Sequence, residues 1–136
     1  MSTLRVNQIT DEPGTGRPDF LNGLSVGTGY WSASTGQIFT PGDITAFSDA
    51  RFKTDVQPIG DALDKLLLIH GVTFRRTDGE TQTRHVGVLA QEVEAVLPEA
   101  VHTDAQGYKA VAYGNMVALL IEAIKELTAR LEKLEG

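Results

Sequence analysis

From Val117 to Leu134 the apolar residues Val117, Leu120, Ile124, Leu127, Leu131 and Leu134 recur at intervals of 3, 4, 3, 4 and 3. On a helix this spacing draws one continuous apolar seam, the a/d repeat of a coiled coil, over nearly three heptads. The coiled-coil helix is expected over about residues 114–135. The a positions Val117, Ile124 and Leu131 and the leucines at d do not by themselves set the number of strands. Ile121 and Ala123 widen the stripe on both flanks beyond a two-stranded seam, which points to a homotrimer. Arg130 at g and Glu135 at the following e are placed for an ion pair between chains, a contact that contributes little when exposed. So short a seam also suits a single amphipathic helix packed on its own domain.

Ahead of that helix the chain changes character at Ser48-Asp49-Ala50-Arg51-Phe52-Lys53. Residues 1–47 hold seven of the fourteen glycines and show no helical periodicity. Short strands are expected at residues 4–9, 23–27 and 34–39, separated by turns. Such strands bury little alone and need partner edges, so this part reads as a β-rich shaft or plug. Its glycines are turn glycines: there is no GxxxxGK followed by Ser or Thr, and Gly14-Thr15-Gly16 does not join a strand to a helix.

After the border, Pro58, Ile59, Leu63, Leu66 and Leu67 predict a helix over residues 58–69, closed by Gly71. Val72-Thr73-Phe74 and the stretch from His85 to Leu89, with Asp78-Gly79 between them, predict a hairpin, because a tight turn favours that dipeptide. Val93, Val96 and Leu97 mark a short helix over residues 90–97, stopped by Pro98. Residues 101–102 and 108–111, joined through Asp104-Ala105-Gln106-Gly107, predict a second hairpin. The expected class is α+β, with a β-rich N-terminal part, a helix-plus-hairpins middle and a C-terminal coiled-coil helix.

Composition narrows the function. A 136-residue chain suits one domain that would gain from oligomerising. A net charge of −6 and the lack of a basic cluster argue against nucleic acid as a partner. The absence of cysteine fits folding in a reducing cytoplasm, and no apolar run is long enough for a signal peptide or a membrane span. His70, His85 and His102 lack ligand spacing, so no metal or other cofactor is expected. Ser48 and Lys53 are a candidate dyad, since a lysine drawn out of water can take a hydroxyl proton. Five residues apart, they point away from each other on a helix and lie on opposite faces of a strand. They meet only if the segment curls or if two chains share the site; otherwise they belong to a solvated loop.

Ser48-Asp49-Ala50-Arg51-Phe52-Lys53-Thr54-Asp55-Val56, followed by Pro58-Ile59 and Leu63, resembles the opening motif of the intramolecular chaperone domain at the C-terminus of phage tailspikes, tail fibres and endosialidases. The same domain occurs in myelin regulatory factors. Gly71-Val72-Thr73-Phe74, then Gly87-Val88-Leu89-Ala90-Gln91-Glu92-Val93-Glu94 with Pro98-Glu99-Ala100-Val101, then Val111-Ala112-Tyr113 before the Leu-rich helix, resemble its later blocks in the same order. The likeness runs from Ser48 to the C-terminus.

The resemblance implies two parts: a fibre or virion stub over residues 1–47 and a chaperone domain over residues 48–136. It implies a trimeric assembly aid that guides the preceding β-rich fibre into register, then cuts itself off as a single-turnover serine endopeptidase. The implied cut lies between Phe47 and Ser48, with Ser48 as nucleophile, Lys53 as general base and an ester intermediate on Ser48 Oγ. Asp49 and Arg51 would shape the turn, and the oxyanion donors would be backbone N–H groups. Some relatives bind a nucleotide, but no motif here supports carrying that over. The implied partners are further copies of the chain, other virion or tail proteins and a host surface. The implied location is the virion, after assembly in the bacterial host cytoplasm. Because the part ahead of the cut is a 47-residue stub, a second expectation stands beside the first. It is an uncleaved trimeric virion protein, such as a small fibre, tip or decoration protein, that keeps the fold as a permanent knob.

Overall fold

The computed structural model describes residue 38, residues 40–77 and residues 83–136. The strands expected at residues 4–9 and 23–27, all of residues 34–39 except Ile38, and the Asp78-Gly79 turn lie outside the described residues. Every element belongs to the unit formed by Asp43–Thr77 and Thr81–Gly136. In chain order it runs through a 3₁₀ turn Ala50–Phe52, helix α1 Ala62–Leu66, strands β1 Val72–Arg75 and β2 Arg84–Gly87, and helix α2 Ala90–Val96. A 3₁₀ turn Pro98–Ala100, strands β3 Val101–Thr103 and β4 Lys109–Val111, a 3₁₀ turn Tyr113–Asn115 and helix α3 Met116–Glu135 complete it. The class is α+β, with two separate antiparallel pairs in place of one sheet.

Among the described residues the core is small, and half of its buried members are alanine. Ala62, Val93, Leu97, Ala100, Leu119 and Ala123 are buried, ringed by half-buried Ile59, Leu63, Leu66, Ile69, Val88, Val96, Val101, Val111 and Met116. Ala62 on α1 and Ala123 on α3 carry only methyl groups, so these helices, which pack chiefly on each other, can approach closely. Leu119 and Val93 are the largest side chains fully removed from water, each contributing about 1.5–3 kcal/mol of apolar transfer energy.

Helix α1 is shorter than its sequence pattern. In place of residues 58–69 it covers only Ala62–Leu66, and Asp61, the residue before it, has φ 51°, in the left-handed region, so helical geometry cannot extend back to Pro58. Leu67, expected on the buried face, is exposed at the C-cap. The short helix is held from outside: Glu126 of α3 accepts the N–H of Ala62 at 2.8 Å on Oε1 and that of Leu63 at 3.0 Å on Oε2. Those donors belong to the first turn, where an α-helix has no partner of its own to offer.

The first hairpin pairs Val72 with Gly87, Thr73 with Val86, Phe74 with His85 and Arg75 with Arg84. The Phe74 and His85 rings stack with centroids 5.7 Å apart. Gly87 permits a close approach, because a Cβ there would meet the Tyr113 hydroxyl and push it aside. That hydroxyl accepts the Val88 N–H at 3.2 Å.

The second hairpin pairs Val101 with Val111, His102 with Ala110 and Thr103 with Lys109. Asp104 shapes its turn: Oδ1 accepts the N–H of Gln106 at 3.0 Å and of Tyr108 at 2.7 Å, and Gly107 takes φ +89°. Lys109 ties this hairpin to α2 by donating to Glu94 at 2.7 Å.

Candidate functional site

The border segment curls. Ser48 is followed by extended Asp49, at φ −66° and ψ 131°, and then by the 3₁₀ turn Ala50–Phe52. Two backbone bonds close the turn, Phe52 N–H to Asp49 O at 3.2 Å and Lys53 N–H to Ala50 O at 3.1 Å. Lys53 returns to extended geometry at φ −123° and ψ 137°. The result is a contact that neither regular helix nor strand could make. Lys53 Nζ donates to Ser48 Oγ at 2.7 Å and to Ser48 O at 2.9 Å, within one chain. The second bond anchors the amine on the backbone of the residue whose hydroxyl it touches.

Asp49 and Arg51 form a clamp beside this contact. Asp49 Oδ1 accepts the Arg51 backbone N–H at 2.9 Å, while Arg51 Nε reaches both carboxylate oxygens at 3.1 Å and Nη2 reaches Oδ2 at 2.7 Å. The Arg51 guanidinium, and after it the Arg51 N–H, hold the Asp49 carboxyl below its ordinary range, and Asp49 in turn raises Arg51. Phe47, on the N-terminal side, is fully exposed, and the residues from Asp43 to Gln57 are exposed except half-buried Asp49. In a single protomer the Ser48 and Lys53 pair is therefore open to water.

Helix α3 has two faces. Met116, Leu119, Ala123 and Glu126 turn toward the core, with Arg130 Nη2 reaching Asp64 Oδ1 of α1 at 3.1 Å. The other face carries Val117, Leu120, Ile124, Leu127, Leu131 and Leu134, all exposed, from 41% for Leu120 to 83% for Leu134. Ile121 is exposed beside them. Two side chains differ from the expected pattern. Ala123 is buried in its own domain, so only Ile121 widens the open seam, and Arg130 pairs with Asp64 of the same chain.

An open cleft of about 730 Å³ is lined by Pro58, Ile59, Lys65, Val96, Leu97 and Ala118, among others. Neither Ser48 nor Lys53 is on its wall, so the contact between them lies outside this cleft. Sequence reading missed the polar ties Glu126 to α1, Lys109 to Glu94, and His70 to Glu92. In the last, Glu92 accepts the His70 N–H at 2.9 Å, the main reason its pKa lies below the ordinary value. Their partners are distant in sequence, and no local spacing marks them. Among the described residues no helix is long and apolar enough to cross a membrane.

Residues 48–102 match the family described as chaperone of endosialidase. The chain is similar to long tail fiber protein Gp37 of Enterobacteria phage K3, with 39% identity over 96 residues, 65% of this chain and 8% of that protein. Its counterpart in Salmonella phage S16 is 32% identical over 102 residues, 68% of this chain and 14% of the relative. Gp37 of Enterobacteria phage Ox2 is 26% identical over 140 residues, 97% of this chain and 55% of the relative. The chain thus spans less than a tenth of the length of the K3 protein. The match opens at Ser48, the residue that Lys53 grips, so over residues 48–102 the chain is similar to the chaperone-of-endosialidase family.

Proposed function

We propose that this chain is the chaperone part of a phage tail fibre, that it assembles as a homotrimer on a coiled coil over about residues 114–135, and that it cuts itself once between Phe47 and Ser48. The observation carrying the chemistry is the 2.7 Å contact between Lys53 Nζ and Ser48 Oγ. The likeness to long tail fiber proteins supports the tail-fibre role, with residues 1–47 as fibre and residues 48–136 as chaperone. The partners are then two further copies and other virion or tail proteins, with a host surface as a further contact. The location is the virion, after assembly in the host cytoplasm.

In the proposed cut, Lys53 as the free amine takes the Ser48 Oγ proton while Oγ bonds to the Phe47 carbonyl carbon. The C–N bond to Ser48 then breaks, and Lys53 returns the proton to the Ser48 nitrogen. An ester joins Phe47 to Oγ until water hydrolyses it, giving a Phe47 carboxylate and a free Ser48 amine. Backbone N–H groups would steady the oxyanion. A lysine works as base only where water is excluded, and here both the dyad and the a/d seam are exposed in the lone protomer. A trimer that covered the pair would exclude that water, and cutting would then wait for assembly.

Exposure of the dyad also favours a second reading, an uncleaved trimeric virion protein that keeps the domain as a permanent knob. Intact mass separates the two: fragments meeting between Phe47 and Ser48, lost in Ser48→Ala and Lys53→Ala, support the peptidase.

A further inference from the structure

We propose that Asp49 is a positioning residue for the Ser48 and Lys53 dyad, acting through its side-chain cap on the Arg51 N–H. This rests on the reading of that pair as a self-cleaving dyad. A 3₁₀ turn of three residues with two backbone bonds, in an exposed stretch, has little to keep it formed. None of its residues is buried, so packing does not hold it. Yet the contact between Lys53 and Ser48 exists only while it stays curled, because an extended chain would carry the two side chains apart. Among the described residues, the one side chain that accepts a bond from inside the turn is Asp49, through Oδ1 to the Arg51 N–H at 2.9 Å. The Arg51 guanidinium holds the same carboxylate from outside, Nε on both oxygens and Nη2 on Oδ2. Asp49 therefore does not touch the reacting atoms; it fixes the bend that brings Nζ to Oγ. The guanidinium makes more contacts with the carboxylate, but only the backbone cap bonds to the turn itself, which sets an order among variants.

The test compares cutting of the full-length chain by intact mass for wild type, Asp49→Ala, Asp49→Ser and Arg51→Ala. Asp49→Ala should cut roughly two- to thirty-fold more slowly, the range expected for losing a cap. Asp49→Ser, which keeps a capping oxygen and drops the charge, should recover most of the rate, and Arg51→Ala should fall between. Cutting by Asp49→Ala at the wild-type rate, or by Asp49→Ser no faster than by Asp49→Ala, overturns the proposal. A second measurement does not need the cut: NMR of the Arg51 amide in the Ser48→Ala chain. The cap predicts that this resonance moves as Asp49 titrates and loses that movement in the Asp49→Ala, Ser48→Ala chain. If wild type stays uncut, the dyad reading fails, and the Arg51 resonance alone decides the cap. A resonance that ignores Asp49 refutes it.

Discussion

Glu126, midway along α3, accepts the backbone N–H of Ala62, the first residue of α1, at 2.8 Å. A single carboxylate in the C-terminal helix thus caps a helix more than sixty residues earlier in the chain. Because α3 also carries the open seam, whatever orders α3 holds α1 in place too.

Acid should undo this tie. The N–H groups of Leu63 and Ala62 lower the Glu126 pKa from its ordinary 4.5, against a smaller desolvation effect. A carboxylate lowered by folding stabilises fully above the unfolded value, and that contribution is lost as pH falls through the folded one. The melting temperature of the chain should therefore drop on acidification below about pH 4.5, and Glu126→Gln should flatten that part of the profile. Thermal melts by circular dichroism across pH 3–7 check it.

The two faces of α3 should separate by mutation. Leu119→Ala, on the buried face, should destabilise the protomer by about 2–5 kcal/mol, read by chemical denaturation. Ile124→Asp, on the open face, should leave the protomer's far-ultraviolet spectrum nearly unchanged but shift the mass in light scattering from trimer to monomer, since three carboxylates would meet on one axis.

Gly87→Ala should push the Tyr113 hydroxyl away and break its bond from Val88 N–H, at a cost of about 1 kcal/mol. Tyr113→Phe should cost a similar amount, and the double variant should cost less than the sum, because both remove one contact. Denaturant titrations of the four chains measure it.

Much of this architecture is legible in residue spacing, and the exceptions share a cause. Alternation and turn residues locate both hairpins to within about two residues, and the heptad pattern locates α3. The same pattern left open whether α3 would face a partner chain or its own domain. In the single chain Leu119 and Ala123 face the domain while Val117, Leu120, Ile124, Leu127, Leu131 and Leu134 stay open, so one helix serves its own core and leaves a seam free. Helix α1 is shorter than its apolar spacing predicts because the left-handed Asp61 and the cap from Glu126 are set by tertiary contact, which no window around residue 60 contains. At the junction, spacing requires either a curl or a site shared between two chains before Ser48 and Lys53 can meet, and the single chain curls. What supplies the curl, a carboxylate capping a turn two residues on, is local, but it becomes specific only once the φ and ψ of Asp49 are known.

The central claim is tested most directly by intact mass spectrometry of the purified, assembled chain beside its Ser48→Ala and Lys53→Ala variants. The wild-type chain should yield two fragments that meet between Phe47 and Ser48, while both variants remain whole. A wild-type chain that assembles fully and stays at its uncut mass would contradict it.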